Sequence, residues 1–135
     1  MATNPPITIG PFANVPAPGS GVKSDWAQQI STYVAPTVWT AVTFQNAWVN
    51  FGGGEQPMQY RKIGDMVQLR GVIKSGALNT VAFTLPAGFR PPLQLHLASG
   101  GGAYTDIIVA ATGTVSPSVG NTAVMWVNCE FSVTP

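Results

Sequence analysis

From Val38 onward, short runs of Val, Ile, Thr and aromatic residues are broken by clusters of Gly, Pro and Asn. The breaks recur at about the ten-residue spacing that marks an antiparallel sandwich or barrel. Strands are predicted near 39–45, 47–51, 58–62, 66–75, 80–85, 93–98, 104–111 and 123–133. The last is the clearest. Ala123, Met125, Val127, Cys129, Phe131 and Val133 share one face, and Val124, Trp126, Asn128, Glu130 and Ser132 share the other. Between Met66 and Lys74, Val67, Leu69, Gly71 and Ile73 stand opposite Gln68, Arg70, Val72 and Lys74. This period of two is that of a strand with one buried face. Ile63–Met66 reads as a tight turn and Leu85–Pro92 as a rigid corner. The runs Gly52–Gly54 and Gly100–Gly102 read as loops or bulges.

The first 37 residues differ in kind. Residues 1–23 contain Pro5, Pro6, Pro11, Pro16 and Pro18 with Gly10, Gly19 and Gly21. Proline fixes its own φ and biases its predecessor to extended backbone, so this stretch is predicted to be an arm reaching roughly 70 Å. Ile7, Ile9, Phe12 and Val15 are apolar residues that a solvated tail does not need. They predict a strap along a neighbouring subunit. Residues 24–34 form the best helix candidate, with Ser24 or Asp25 as cap and Pro36 as stop. Trp26, Ile30, Tyr33 and Val34 make its apolar stripe. A helix this short is marginal unless that face docks. The division is therefore an anchoring arm with a short helix over 1–37 and a β-sandwich head over 38–135. Ile7, Ile9, Phe12, Trp26 and Ile30 are the candidate partner-anchoring residues.

Charge narrows the partners. Six Lys and Arg and five Asp and Glu make up only 8% of the chain, where about 25% is usual. A surface so poor in charge suits a subunit that hides much of itself against companions, or one that binds neutral sugars. Apart from Arg61–Lys62 the cations are scattered, so no basic stripe is offered to nucleic acid. No apolar run reaches the length of a membrane span, and the N-terminus carries no secretory pattern. The one cysteine, Cys129, excludes an internal disulfide and is read as a buried, inert thiol that matures in a reducing cytoplasm.

Catalytic and metal chemistry find little support. His96 points away from the Leu93, Leu95 and Leu97 face and has no nucleophile motif with it. It reads as a surface or interface histidine, or as one ligand of a metal on a threefold axis. With a single His, a single Cys and five dispersed acids, no metal site within one subunit and no cofactor is expected. A glycosidase needs two carboxylates about 5–9.5 Å apart. Asp106 and Glu130 are instead expected to pair with Arg61, Arg70 or Lys74 across strands. The positive signal is aromatic. Trp39, Trp48, Phe51, Tyr60, Tyr104 and Trp126 exceed what one small core can hold. Trp48, Phe51, Tyr60 and Tyr104 are the candidate glycan-binding or interface aromatics.

The ordered series Gln45-Asn46-Ala47-Trp48, Gly52-Gly53-Gly54, Tyr60-Arg61-Lys62, Leu69-Arg70-Gly71 and Leu85-Pro86-Ala87-Gly88-Phe89-Arg90-Pro91 resembles the C-terminal domain of tailed-bacteriophage structural proteins of the minor tail and tail-fibre tip type. The resemblance covers roughly residues 38–133. The arm, Val15-Pro16-Ala17-Pro18-Gly19-Ser20 leading to Trp26-Ala27-Gln28, is similar to that of short structural proteins of actinobacteriophages. It implies a non-enzymatic, all-β protein, an antiparallel β-sandwich or jelly-roll-like domain preceded by an extended arm and one short helix. It further implies a homotrimer exposed on the virion, assembled in the host cytoplasm and held to major capsid or tail proteins. The long shaft of a tail fibre is not among these residues. The leading expectation is thus a capsid-decoration, head-fibre or minor tail protein, with a glycan-binding tail tip as alternative and a cell-wall hydrolase acting through Asp106 or Glu130 as second alternative.

Overall fold

The computed structural model describes residues 35–100 and 103–135. The expected arm and its helix, with Ile7, Ile9, Phe12, Trp26 and Ile30, lie outside the described residues. The described chain is all-β: eleven short strands form antiparallel sheets in a β-sandwich. Strands β1 (Thr40–Ala41), β3 (Gln59–Ile63), β4 (Met66–Arg70) and β11 (Cys129–Ser132) run side by side in the order β1-β3-β4-β11. Strands β2 (Val49–Asn50), β5 (Val72–Lys74) and β10 (Met125–Trp126) pair as β10-β5-β2. The remaining four, β6 (Phe83–Thr84), β7 (Leu95–Gly100), β8 (Tyr104–Val109) and β9 (Thr114–Val119), pair as β6-β9-β8-β7.

The first two sheets share their chain. The run predicted as one strand over 66–75 is β4 and β5, interrupted only at Gly71. The run over 123–133 is β10 and β11, interrupted at Val127 and Asn128. The breaks face each other and close with real bonds. Val127 N donates to Gly71 O at 2.8 Å, and Gly71 N donates to the Asn128 side-chain oxygen at 3.3 Å. A side chain at 71 is not tolerated: its Cβ would stand 2.4 Å from Met58 Cα, and φ there is +151°. From the third sheet, the buried Ser99 hydroxyl spans the second break, accepting from Asn128 N and donating to Trp126 O, both at 2.8 Å.

The core lies where the faces meet. Val67, Leu69, Ile73, Met125, Val127 and Phe131 come from the interrupted strands, as the alternation predicts. Phe83, Ile107, Val109 and Val115 come from the third sheet. Trp48 is the largest buried side chain, 1% exposed. Its indole N–H donates to Thr80 Oγ1 at 3.0 Å, and the bare backbone of Gly76 lies against its ring. The corner after β6 is held by Arg90 Nε on Leu85 O and Lys62 Nζ on Gly88 O, both 2.8 Å.

The sequence pattern missed β9. Thr114-Val115-Ser116-Pro117-Ser118-Val119 does alternate, with Val115 and Pro117 buried, but proline argues against an interior strand. Two devices accommodate it. A bulge between Asp106 and Ile107 adjusts β8 where Pro117 pairs with Ile107, and Pro117 O accepts from Asn79 N at 2.7 Å. The predicted strands 39–45 and 80–85 shrink to two paired residues each.

The Gly71 position yields a stability test. Gly71→Ala is expected to cost about 3 kcal/mol from backbone overlap and strain. Gly53→Ala, in a loop where φ is +63° but nothing lies near its Cβ, meets the conformational strain alone and is expected to cost about 1–2 kcal/mol. Chemical denaturation of the two variants checks the contrast.

Candidate binding site

Strand alternation builds a polar outer face on β3, β4 and β11. Across the Gly64–Asp65 turn, Arg61 opposes Gln68 and Gln59 opposes Arg70; Gln68 in turn opposes Glu130. Arg61 Nε donates to Gln68 Oε1 at 2.8 Å, and Gln68 Nε2 reaches Glu130 Oε1 at 3.4 Å. Arg70 donates through both Nε and Nη2 to Gln59 Oε1, at 3.2 and 2.9 Å. Trp39, just ahead of β1, lies in this network. The Arg70 guanidinium sits 3.8 Å from its ring centroid and that of Arg61 sits 4.4 Å away, within cation–π range.

An open cleft of about 340 Å³ is lined by Trp39, Gln68, Arg70, Asn128 and Glu130, with Leu69 and Cys129 also contributing. It brings together an indole, two amides, a guanidinium and a carboxylate. Among the described residues no carboxylate pairs with Arg61, Arg70 or Lys74, so the expected pairing of these cations with Asp106 and Glu130 does not occur. Amides take that place because the register sets Gln68 and Gln59 opposite the arginines. Burial, and to a lesser degree the neighbouring Glu130 charge, push the Cys129 thiol up to about 12.

The nominated aromatics are scattered by the fold. Trp48 is a core residue and offers no ring face, which corrects its reading as a glycan or interface aromatic. Half-buried Phe51 lies beneath Lys74 Nζ at 5.1 Å. Tyr60, also half-buried, packs edge-on against Phe89 with centroids 5.1 Å apart. Tyr104 is 64% exposed at the start of β8. None of the four lines the cleft; Trp39 does. The signal for it was available in the alternation on either side of Gly64, which puts Gln59, Arg61, Gln68 and Arg70 on one face.

On the third sheet His96 is exposed, and its Nδ1 lies 3.0 Å from Asp106 Oδ2. The Ser118 hydroxyl donates to the same Oδ2. This places a Ser, a His and an Asp together, but in an order unlike a nucleophile–base–acid relay. There the imidazole stands between hydroxyl and carboxylate and takes the hydroxyl proton; here the carboxylate stands between. The Ser118 hydrogen bond, aided by His96, holds the Asp106 carboxyl below its ordinary value, against the opposing effect of desolvation. Among the described residues no group of three His, Cys, Asp or Glu side chains is placed to hold a metal.

Comparison with protein families returns no matching family, and comparison with curated proteins returns no relative. A solved structure does match. The receptor binding protein (gp15) of Listeria phage PSA superposes with a TM-score of 0.58 at 19% identity, over 78% of this chain and 71% of that one. The two chains share a fold. At this identity the likeness is one of architecture, and it agrees with the β-sandwich derived from the strand pattern.

Two measurements follow from the titrating groups. Asp106 titrates lower in the folded chain than in the unfolded one, so its stabilisation is complete above the unfolded carboxyl value. It drains away as pH falls through the folded value. Asp106→Asn should flatten the loss of stability below about pH 4, read as denaturation midpoints at successive pH values. Cys129 in the folded protein should react with a disulfide reagent at pH 8 at least a hundredfold more slowly than in denaturant, since only about one thiol in ten thousand is then ionised. Equal rates would contradict that raised value; the side chain itself is half-buried, not fully buried as expected.

Proposed function

We propose that this chain is a non-enzymatic bacteriophage virion protein that serves host attachment at the tail tip. Residues 38–135 are its exposed head and residues 1–37 its anchor to other tail proteins. The observation that carries this reading is the shared fold with a phage receptor binding protein over most of both chains. The ordered motif series of residues 38–133 points to the same class of structural protein. The outer faces are consistent with it. They carry few charges, an open aromatic and polar cleft, and apolar side chains such as Leu93, 74% exposed, and Tyr104. Such side chains support packing of the head against copies of itself, and a homotrimer is the proposed assembly, since avidity strengthens weak attachment contacts.

Antibody against the whole chain is expected to label the tail tip of intact particles in electron microscopy; label over the capsid would refute tail placement. Purified protein in excess should slow adsorption of the phage to its host at least tenfold. Unchanged adsorption at saturating protein would rule out the attachment role. Light scattering should return a mass about three times 14.1 kDa; a monodisperse single chain would remove the trimer.

A further inference from the structure

The cleft beside Trp39 has a donor and acceptor layout that selects among ligands. A sugar hydroxyl both donates and accepts, so its site needs acceptor-only and donor-only groups close together. Glu130 supplies acceptors: among the described residues its side chain has one hydrogen bond, the long one from Gln68, which leaves a carboxylate oxygen open. The Asn128 oxygen is occupied by Gly71 N, so its amide N–H₂ remains as donor. One edge of the Arg70 guanidinium is occupied, since Nε and Nη2 each donate to Gln59 Oε1. Its other three N–H groups, two on Nη1 and one on Nη2, remain as donors for hydroxyls. Trp39, fixed by two guanidiniums over its ring, lines the cleft with apolar ring atoms that the C–H groups of a sugar can pack against. Because the network already orders these side chains, a ligand has less of that ordering to supply.

Size and charge sharpen the assignment. About 340 Å³ is at the small end of ligand sites, which suits one or two sugar rings at an exposed chain end. An anion entering this space would meet the like charge of the Glu130 carboxylate, which a neutral ligand escapes. The geometry points to a saccharide-binding site that takes a neutral pyranose, with Glu130, Asn128 and Arg70 holding hydroxyls and Trp39 packing against its C–H groups. This assignment rests on the host-attachment reading and names its ligand class and its contact residues.

The test is titration of the full chain, followed by indole N–H resonances, with the methyl glycosides of glucose, galactose, rhamnose and N-acetylglucosamine. Glucuronate and glycerol phosphate serve as anionic probes. At least one neutral glycoside should saturate in the millimolar range and shift the Trp39 resonance, assigned by its loss in Trp39→Phe. Glu130→Gln and Arg70→Lys should each weaken that glycoside at least tenfold while the thermal midpoint stays near wild type. Glu130→Gln also separates a lost contact from lost folding, because it keeps shape while removing the charge and turning one acceptor oxygen into an N–H₂ donor. Saturation by no neutral glycoside, tighter binding of either anionic probe, or undiminished binding in Glu130→Gln would each overturn the assignment. If the protein still blocks adsorption in those cases, the site is wrong and the attachment role stands. If it neither blocks adsorption nor binds a sugar, both fall.

Discussion

One stretch of backbone has to serve two sheets, and the sandwich depends on that. Residues 66–74 pair with β3 and β11 over their first half and with β2 and β10 over their second. The exchange occurs at Gly71, where the chain passes so close to Met58 that no side chain fits. A break in a strand strands its amides and carbonyls, and a buried group left unpaired costs on the order of 1–3 kcal/mol. Here the break in the partner run supplies the missing partners. Val127 N and the Asn128 side chain satisfy Gly71, and Ser99 reaches from the third sheet to satisfy Trp126 and Asn128. The same few bonds that repair the interruption tie the third sheet to the other two.

The interruption also sets where the polar face stops. By alternation Val72 belongs with Gln68 and Arg70, yet it is buried, while those two stay on the accessible face. Polar outer residues are therefore concentrated on β3, β4 and β11, ahead of the break. Asn128 sits at the break itself, its side-chain oxygen committed to Gly71, and it also lines the cleft. The candidate binding site is thus adjacent to the feature that shapes the fold, and Asn128 belongs to both.

Much of the fold was legible in the residues. The period of two in 66–74 and 123–133 marked the right faces as buried, and the Gly64–Asp65 turn and the Leu85–Pro92 corner follow from local chemistry. Strand β9 was not legible, because Pro117 counts against a strand unless a bulge on the neighbouring strand is known to receive it. The site was legible only in part. Counting aromatics correctly implied that some lie outside the core but did not say which. Trp48 is buried because Thr80 gives its N–H a partner and Gly76 leaves space for its ring, two contacts from 28 and 32 positions along the chain. Likewise, charge complementarity suggested Asp106 and Glu130 as partners of the arginines, whereas register delivered amides.

What the sequence by itself determined is the class of structure: strands with one apolar face, breaks rich in glycine and proline, and a surface short of charge. These follow from local periodicity and side-chain chemistry, which act over a few neighbouring residues. What only the tertiary structure decided is which side chains meet. Trp39 with Arg61 and Arg70, Asn128 with Gly71, and Ser118 with Asp106 and His96 are all juxtaposed by strand pairing or by a loop packed on a strand. The physical reason is that register shifts of one residue reverse the exposed face of a strand, so contacts across strands depend on the closure of the whole sandwich and not on any segment within it.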